Sequence, residues 1–261
     1  MGYLNNVTGY REDILSNRSV IQKGNFALIE PDGLVKNVIP GFENCDVTIL
    51  SSPKIGASFV DYLVHVNKDG GNRQGFGEEG VEVFVYVIEG ELKAKADEEE
   101  FTLNEGGYLF CPSGVKLYFE NKEETPVKLF LYKRRYDAIE GHEARVVSGN
   151  ANDIEFVDYE GMKDVGVKDL LPTDLGFDMN FHILSFQPGG SHGYIETHFQ
   201  EHGAYILSGQ GMYNLDNNWI PVKKGDYLFM GAYSPQAAYA VGRDEPLMYV
   251  YSKDCNRDAQ I

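Results

Sequence analysis

The sequence predicts an all-β protein assembled from two copies of one β module. Three observations carry this. Short stretches rich in Val, Ile, Tyr and Phe recur along the chain, split by Gly, Asn, Asp and Pro; helical periodicity is scarce; and a block of the first half reappears 119 positions downstream. Many short strands with turn residues between them form the pattern of an antiparallel barrel or sandwich. A chain of 261 residues has room for two domains of roughly 100–130 residues each.

In chain order, "FVDYLVHV", "VFVYVIEG" and "KLFLYKR" are the clearest strands of the first half, and "NFHILSF", "AYILSG" and "LMYVYSK" those of the second. Between the two sets, "YEGMKDVGVKDLLP" (159–172) is predicted to be a short peripheral helix. The glycine-rich "DGGNRQGFGEEG" (69–80) has no Lys in the place a phosphate loop requires and no helix pattern after it, so a plain loop is predicted. The repeat matches Gly90 with Gly209, Gly106 with Gly225, "GYLF" (107–110) with "DYLF" (226–229), and Tyr132 with Tyr251. The boundary is predicted in the polar stretch 137–153, giving one domain over 1–140, with an N-terminal extension, and another over 141–261.

Charge narrows the function classes. With 23 basic against 40 acidic residues the formal charge is −17, the wrong sign for a phosphate backbone or an anionic membrane surface. No apolar run reaches membrane-spanning length. The start, "MGYLNNVTGYREDILSNRSV", lacks a basic segment followed by an apolar one, so no signal peptide is expected, and Asn6 argues against N-myristoylation. Cys45, Cys111 and Cys255 are odd in number and far apart, which fits a reducing compartment. The expected address is the cytoplasm, and two barrels with exposed sheet edges favour a homo-oligomer.

The second copy carries "GYIETHFQEHGAYILSGQG", residues 193–211. Gly190, Glu196, His198, His202 and Gly209 are spaced in a way that resembles the first motif of the cupin barrel, G-x5-H-x-H-x3,4-E-x6-G, with the ligand types permuted to Glu, His and His. In the second motif, G-x5-P-x-G-x2-H-x3-N, Gly225 leads to Gly231, Tyr233 and Gln236 in the Pro, Gly and His slots. The first copy keeps Gly106, Pro112, Gly114 and Asn121 of that motif but has Leu117 in the His slot. The resemblance implies two tandem jelly-roll barrels, a bicupin.

The duplication serves as an internal control. The first-copy partners of Glu196, His198, His202 and Gln236 are Gly77, Glu79, Val83 and Leu117, three of which cannot bind an ion, so the first barrel is expected to hold no metal. Positions 196, 198 and 202 share parity, and on extended chain they face one way, into a barrel. Two imidazoles, a carboxylate and an amide oxygen suit a divalent first-row ion, and the hard amide oxygen favours Mn2+ over Zn2+ or Cu2+. On the last strand Tyr249, Tyr251 and Lys253 share a face. If it lines the second barrel, Tyr249 and Lys253 meet the substrate; their repeat partners are Phe130 and Arg134. His192 is predicted to be a loop residue, His142 solvated, and His65 and His182 strand residues or groups orienting the ligands. Glu82 lies one position out of frame and is given no role.

Over nearly its whole length the chain is similar to the bicupin family of (S)-ureidoglycine aminohydrolases. That resemblance implies a Mn2+-dependent hydrolase that converts (S)-ureidoglycine and water to (S)-ureidoglycolate and ammonia in allantoin breakdown. It implies metal ligands Glu196, His198, His202 and Gln236, substrate contacts from Glu196, Gln236, Tyr249 and Lys253, and catalytic roles for Glu196 and Lys253. An Fe(II) cupin dioxygenase and a non-catalytic binding bicupin are the alternatives; oxygen uptake with iron content, or an unchanged phenotype in His202→Ala, distinguishes them.

Overall fold

The structure, a computed structural model, describes residues 16–259; the readings of the start of the chain, including Asn6, fall on residues outside these. Among the described residues, twenty strands and two short 3-10 turns make up the regular elements. Among the described residues no helix is long and apolar enough to cross a membrane. The chain divides into two compact units, the first containing Asp32–Pro53 and Ser58–Asp153, the second Ser16–Pro31, Lys54–Ala57 and the chain from Ile154 on. This differs from the expected 1–140 and 141–261. The reason is pairing: β1 (Val20–Gln22) and β2 (Phe26–Ile29) add to a sheet of the second unit, while β11 (Val147–Asn150) pairs in the first.

In the first unit β3 (Phe42–Ser51), β4 (Phe59–Phe76), β5 (Val81–Glu89), β6 (Leu92–Ala96), β7 (Glu99–Leu103), β8 (Gly107–Cys111), β9 (Leu117–Glu120), β10 (Val127–Arg135) and β11 form one sheet in the order β11-β8-β5-β10-β4-β9-β6-β7, with β3 also on β4. Alternate residues of the apolar runs point inward, so Val83, Val85 and Val87 join Val64, Leu117, Leu129 and Leu131 in a single core. Each fully buried aliphatic side chain stabilises this barrel by about 1.5–3 kcal/mol relative to exposure. The expected loop 69–80 is strand as far as Phe76. Gly71 makes this possible, since a Cβ there would stand 2.1 Å from the Phe119 carbonyl on the paired strand β9.

The second unit packs an eight-stranded sheet and a three-stranded one around its own core. The larger contains β1, β2, β12 (Val157–Tyr159), β13 (Met162–Asp169), β14 (Met179–Phe186), β15 (His202–Ser208), β18 (Tyr227–Met230) and β20 (Leu247–Asp254). The smaller contains β16 (Gln210–Leu215), β17 (Asn218–Lys223) and β19 (Gln236–Ala240). The predicted helix at 159–172 is instead the β12–β13 hairpin. Glu160 and Gly161 both have positive φ, 49° and 79°, the geometry of a two-residue turn that matches strand twist. Beyond it Val165 and Val167 alternate toward the core side.

The repeat survives in three dimensions, with one correction. Strands β15–β19 follow β5–β9 at the 119-residue offset to within two residues. The last strand slips by one. Ala204 pairs with Tyr251 and Ile206 with Tyr249, whereas their repeat partners Val85 and Val87 pair with Leu131 and Leu129. The counterparts of Tyr249, Tyr251 and Lys253 are therefore Leu129, Leu131 and Lys133, not Phe130, Tyr132 and Arg134. A slip of one residue exchanges the two faces of a strand. It is invisible to a gapless alignment because Tyr132 and Tyr251 happen to match.

Candidate metal centre and substrate cavity

Three chain segments bring the four predicted donors together. His202 opens β15, and its Nδ1 faces the Ser252 carbonyl of β20 at 2.8 Å. Glu196 and His198 lie in the irregular connection between β14 and β15. Only His202 of the three is on a strand, so the parity of extended chain is not what orients Glu196 and His198. Glu196 is tied to Gln236 of β19 by a reciprocal backbone pair, N–H to carbonyl at 2.8 and 2.9 Å. The connection is pinned again where the Tyr233 N–H donates to the His198 carbonyl at 2.7 Å and the Thr197 hydroxyl to the Tyr233 carbonyl at 3.0 Å.

Hydrogen bonds decide how the imidazoles present themselves. His198 Nδ1 faces the Gln200 carbonyl at 3.1 Å, as His202 Nδ1 faces that of Ser252. A carbonyl only accepts, so both rings carry their proton on Nδ1 and turn the lone pair of Nε2 inward, the tautomer of a metal-binding histidine. The two Nε2 atoms are 3.3 Å apart. Two lone pairs at that distance repel unless a cation lies between them.

The other donors flank the pair. Glu196 Oε2 is 3.7 Å from His198 Nε2, and the Gln236 amide nitrogen is 2.9 Å from it. Gln236 Oε1 is buried without a hydrogen-bond partner. Amide oxygen and nitrogen exchange by a half-turn, which would aim the unpartnered oxygen at the imidazoles. Bonds of about 2.1 Å to one ion place neighbouring donors about 3 Å apart, close to the separations seen. Among the described residues no three of His, Cys, Asp and Glu are already drawn tightly enough around one point to hold an ion; Glu196 Oε2, 3.7 Å from His198 Nε2, is the donor that would have to move in. The residues present fit a divalent cation.

Electrostatics agree with that use. Burial alone would raise the Glu196 carboxyl, but the neighbouring His198 and His192 and the hydroxyl donated by Tyr159 outweigh it and hold the group at about 2. Burial, reinforced by His198, pushes His202 down to about 3. A ligand carboxylate has to be ionised and a ligand imidazole neutral.

Glu196, His198, His202, Gln236, Tyr249 and Lys253 all line one tight cavity of about 10 Å³, roughly the space of a single water molecule. Tyr249 and Tyr251 do share an inward face, buried in the core, with Lys253 partly buried beyond them. The Tyr249 hydroxyl meets that of Tyr213 at 3.2 Å, and Tyr251 meets His182 Nδ1 at 3.2 Å. In the first unit Val83 and Leu117 stand in the apolar core, and Lys133 lies 5.2 Å over the Phe76 ring. Glu82 lies on β5 beside the inward Val83, on the opposite face.

Three further residues belong to this site. Tyr159, placed in a helix, and His192, placed in a loop, line the same cavity, as does Tyr213. The His192 side chain is only 3 % exposed. No spacing signal marks Tyr159, which arrives from β12. Tyr213 was legible as the inward partner of Leu215 on β16.

A pair of jelly-roll units, one filled with apolar side chains and one presenting inward His, His, carboxylate and amide, defines a bicupin whose C-terminal barrel is lined by polar donors. The cupin-domain model matches residues 67–132 and 182–252, one segment in each unit, and metal ions are common guests of this fold. The chain is 67 % identical to the (S)-ureidoglycine aminohydrolase of Escherichia coli (strain K12) over all 261 residues of both. It is 33 % identical over 242 residues to the probable (S)-ureidoglycine aminohydrolase of Oryza sativa subsp. japonica, covering 92 % of this chain and 76 % of the relative. The crystal structure of protein Ylba from E. coli superposes with a TM-score of 0.87 at 63 % identity, covering 97 % of this chain and all of that one. The chain belongs to the cupin family and, within it, to the (S)-ureidoglycine aminohydrolases.

Proposed function

We propose that the protein hydrolyses (S)-ureidoglycine to (S)-ureidoglycolate and ammonia, with Mn2+ held by Glu196, His198, His202 and Gln236. The observation that supports the metal is the pair of Nε2 lone pairs 3.3 Å apart, flanked by one carboxylate and one amide. The substrate follows from the relatives' named activity. When bound, the cation supplies Lewis-acid polarisation and lowers the pKa of water. A carboxylate and an amide oxygen beside two imidazoles make a harder donor set than three imidazoles, which favours Mn2+.

The protein's own groups divide the remaining work. Among the described residues Lys253 is the one lysine or arginine lining the cavity, so its ammonium pairs with the substrate carboxylate. Tyr249 offers a buried hydroxyl to the ureido group. Glu196, ionised and held near 2, is a weak base. It carries a proton only in transit, from the attacking water to the departing amine, whose affinity for the proton is far greater. The C–N bond breaks, a C–O bond forms, and the water proton leaves with ammonia. Loss of ammonia first, followed by water addition to the imine, uses the same groups.

This reading has the protein in the cytoplasm as a homo-oligomer, β1 and β12, with exposed Ile21 and Val157, being the edge strands of their sheet among the described residues and exposed edges favouring pairing. Light scattering tests the oligomer. The activity is tested on protein purified without chelator: ammonia release from fresh ureidoglycine is lost with EDTA and restored by Mn2+. Chelator-resistant turnover overturns the reading.

A further inference from the structure

The two oxygens of Glu196 have different surroundings. Oε2 faces His198 Nε2 at 3.7 Å. Oε1 accepts the Tyr159 hydroxyl at 3.0 Å and lies 3.6 Å from His192 Nε2.

His192 is fixed in both place and tautomer. The Ala238 N–H donates to its Nδ1 at 2.8 Å. A ring nitrogen that accepts a hydrogen bond carries no proton, so the neutral imidazole bears its hydrogen on Nε2. The backbone N–H of His192 donates in turn to the Ala238 carbonyl at 3.0 Å. The ring is thereby locked to β19, the strand that carries Gln236, and Phe186 packs edge-on to it at 4.8 Å. Its Nε2 is buried and makes no hydrogen bond. Glu196 Oε1, 3.6 Å away, is the acceptor that a small shift of the carboxylate would bring within reach.

We propose that Tyr159 and His192 are positioning residues whose two donors hold Glu196 Oε1, so that Oε2 alone is presented to the cation. A carboxylate free to turn would chelate through both oxygens and take up a coordination position the substrate needs, or would swing away. Outer partners of this kind are worth roughly 10–100-fold in metal affinity. The inference rests on the reading of Glu196 as a metal ligand.

The test compares three variants by Mn2+ titration, by kcat and KM for ammonia release, and by unfolding in EDTA. In His192→Asn the amide oxygen still accepts from Ala238, but no N–H reaches the Nε2 position. In His192→Gln the longer amide places an N–H there. Tyr159→Phe removes one hydroxyl and leaves the ring packed, so it reports even if both His192 variants misfold. Expected are about tenfold or greater losses of Mn2+ affinity in His192→Asn and Tyr159→Phe, with His192→Gln within a few-fold of the parent. Equal losses in the Asn and Gln variants, or full affinity in both His192→Asn and Tyr159→Phe, overturns the proposal. The parent protein's own Mn2+ binding and ammonia release, measured alongside, decide the underlying reading separately.

Discussion

Gln236→Leu copies into the second barrel the residue that the first has at Leu117, and it separates folding from function. Gln236 is 3 % exposed and its Oε1 has no hydrogen-bond partner. An unsatisfied buried polar group costs about 1–3 kcal/mol, and one ordinary hydrogen bond, here the 2.9 Å contact with His198, contributes about 1 kcal/mol. Leucine is close to glutamine in volume, so no large cavity opens. The expected balance without metal runs from no change to about 2 kcal/mol of stabilisation. At roughly 2–4 °C per kcal/mol for a protein of this size, the melting temperature in EDTA stays level or rises. With Mn2+ the order reverses: the parent is stabilised by ligand binding, about 2.7 kcal/mol at a hundred times Kd, and the variant is not. Ammonia release falls with the metal. Scanning calorimetry with and without Mn2+, paired with the ammonia assay, reads all of this. A variant more than about 2 kcal/mol less stable in EDTA, or one that keeps the parent's Mn2+ response, would refute the reasoning.

Three further outcomes are expected. Lys253→Gln raises KM by about 10–100-fold, the loss of a charged hydrogen bond worth roughly 1.5–3 kcal/mol, while Mn2+ affinity is kept; an unchanged KM removes Lys253 from the substrate site. Burial pushes His182 down from 6.5 to about 4, against the upward pull of Asp169. The unfolded chain then takes up a proton that the folded one refuses between about pH 6.5 and 4. Stability is lost as pH falls through that window, and urea titrations of His182→Gln show a flatter acid limb. Tyr233 sits at φ 63° and is 61 % exposed, a conformation costing about 1 kcal/mol for a residue with a Cβ. Tyr233→Gly therefore raises stability by about 0.5–1 kcal/mol in urea unfolding, and a loss instead would show that the ring has a contact of its own.

What was legible in advance was whatever depends on sequence-local physics. Period-two alternation around glycine-rich turns gave the strands, the 119-residue repeat gave two copies of one module, and residue type gave the donors, because only Glu, His and Gln can offer an ion what Gly77, Val83 and Leu117 cannot. The hairpin at 159–172 was misread because a two-residue turn resembles a helix interruption until Glu160 and Gly161 are seen with positive φ. The partners of Tyr249 and Lys253 were misassigned because strand register is fixed by pairing with β14 and β15, not by spacing along the chain. His192 and Tyr159 reached the cavity from segments with no shared pattern, one through a tautomer-fixing bond to Ala238 and one through a hairpin edge. Local sequence chose the elements and the chemistry of the ligands; long-range packing chose which atoms of those ligands face inward, since that depends on contacts between residues dozens of positions apart.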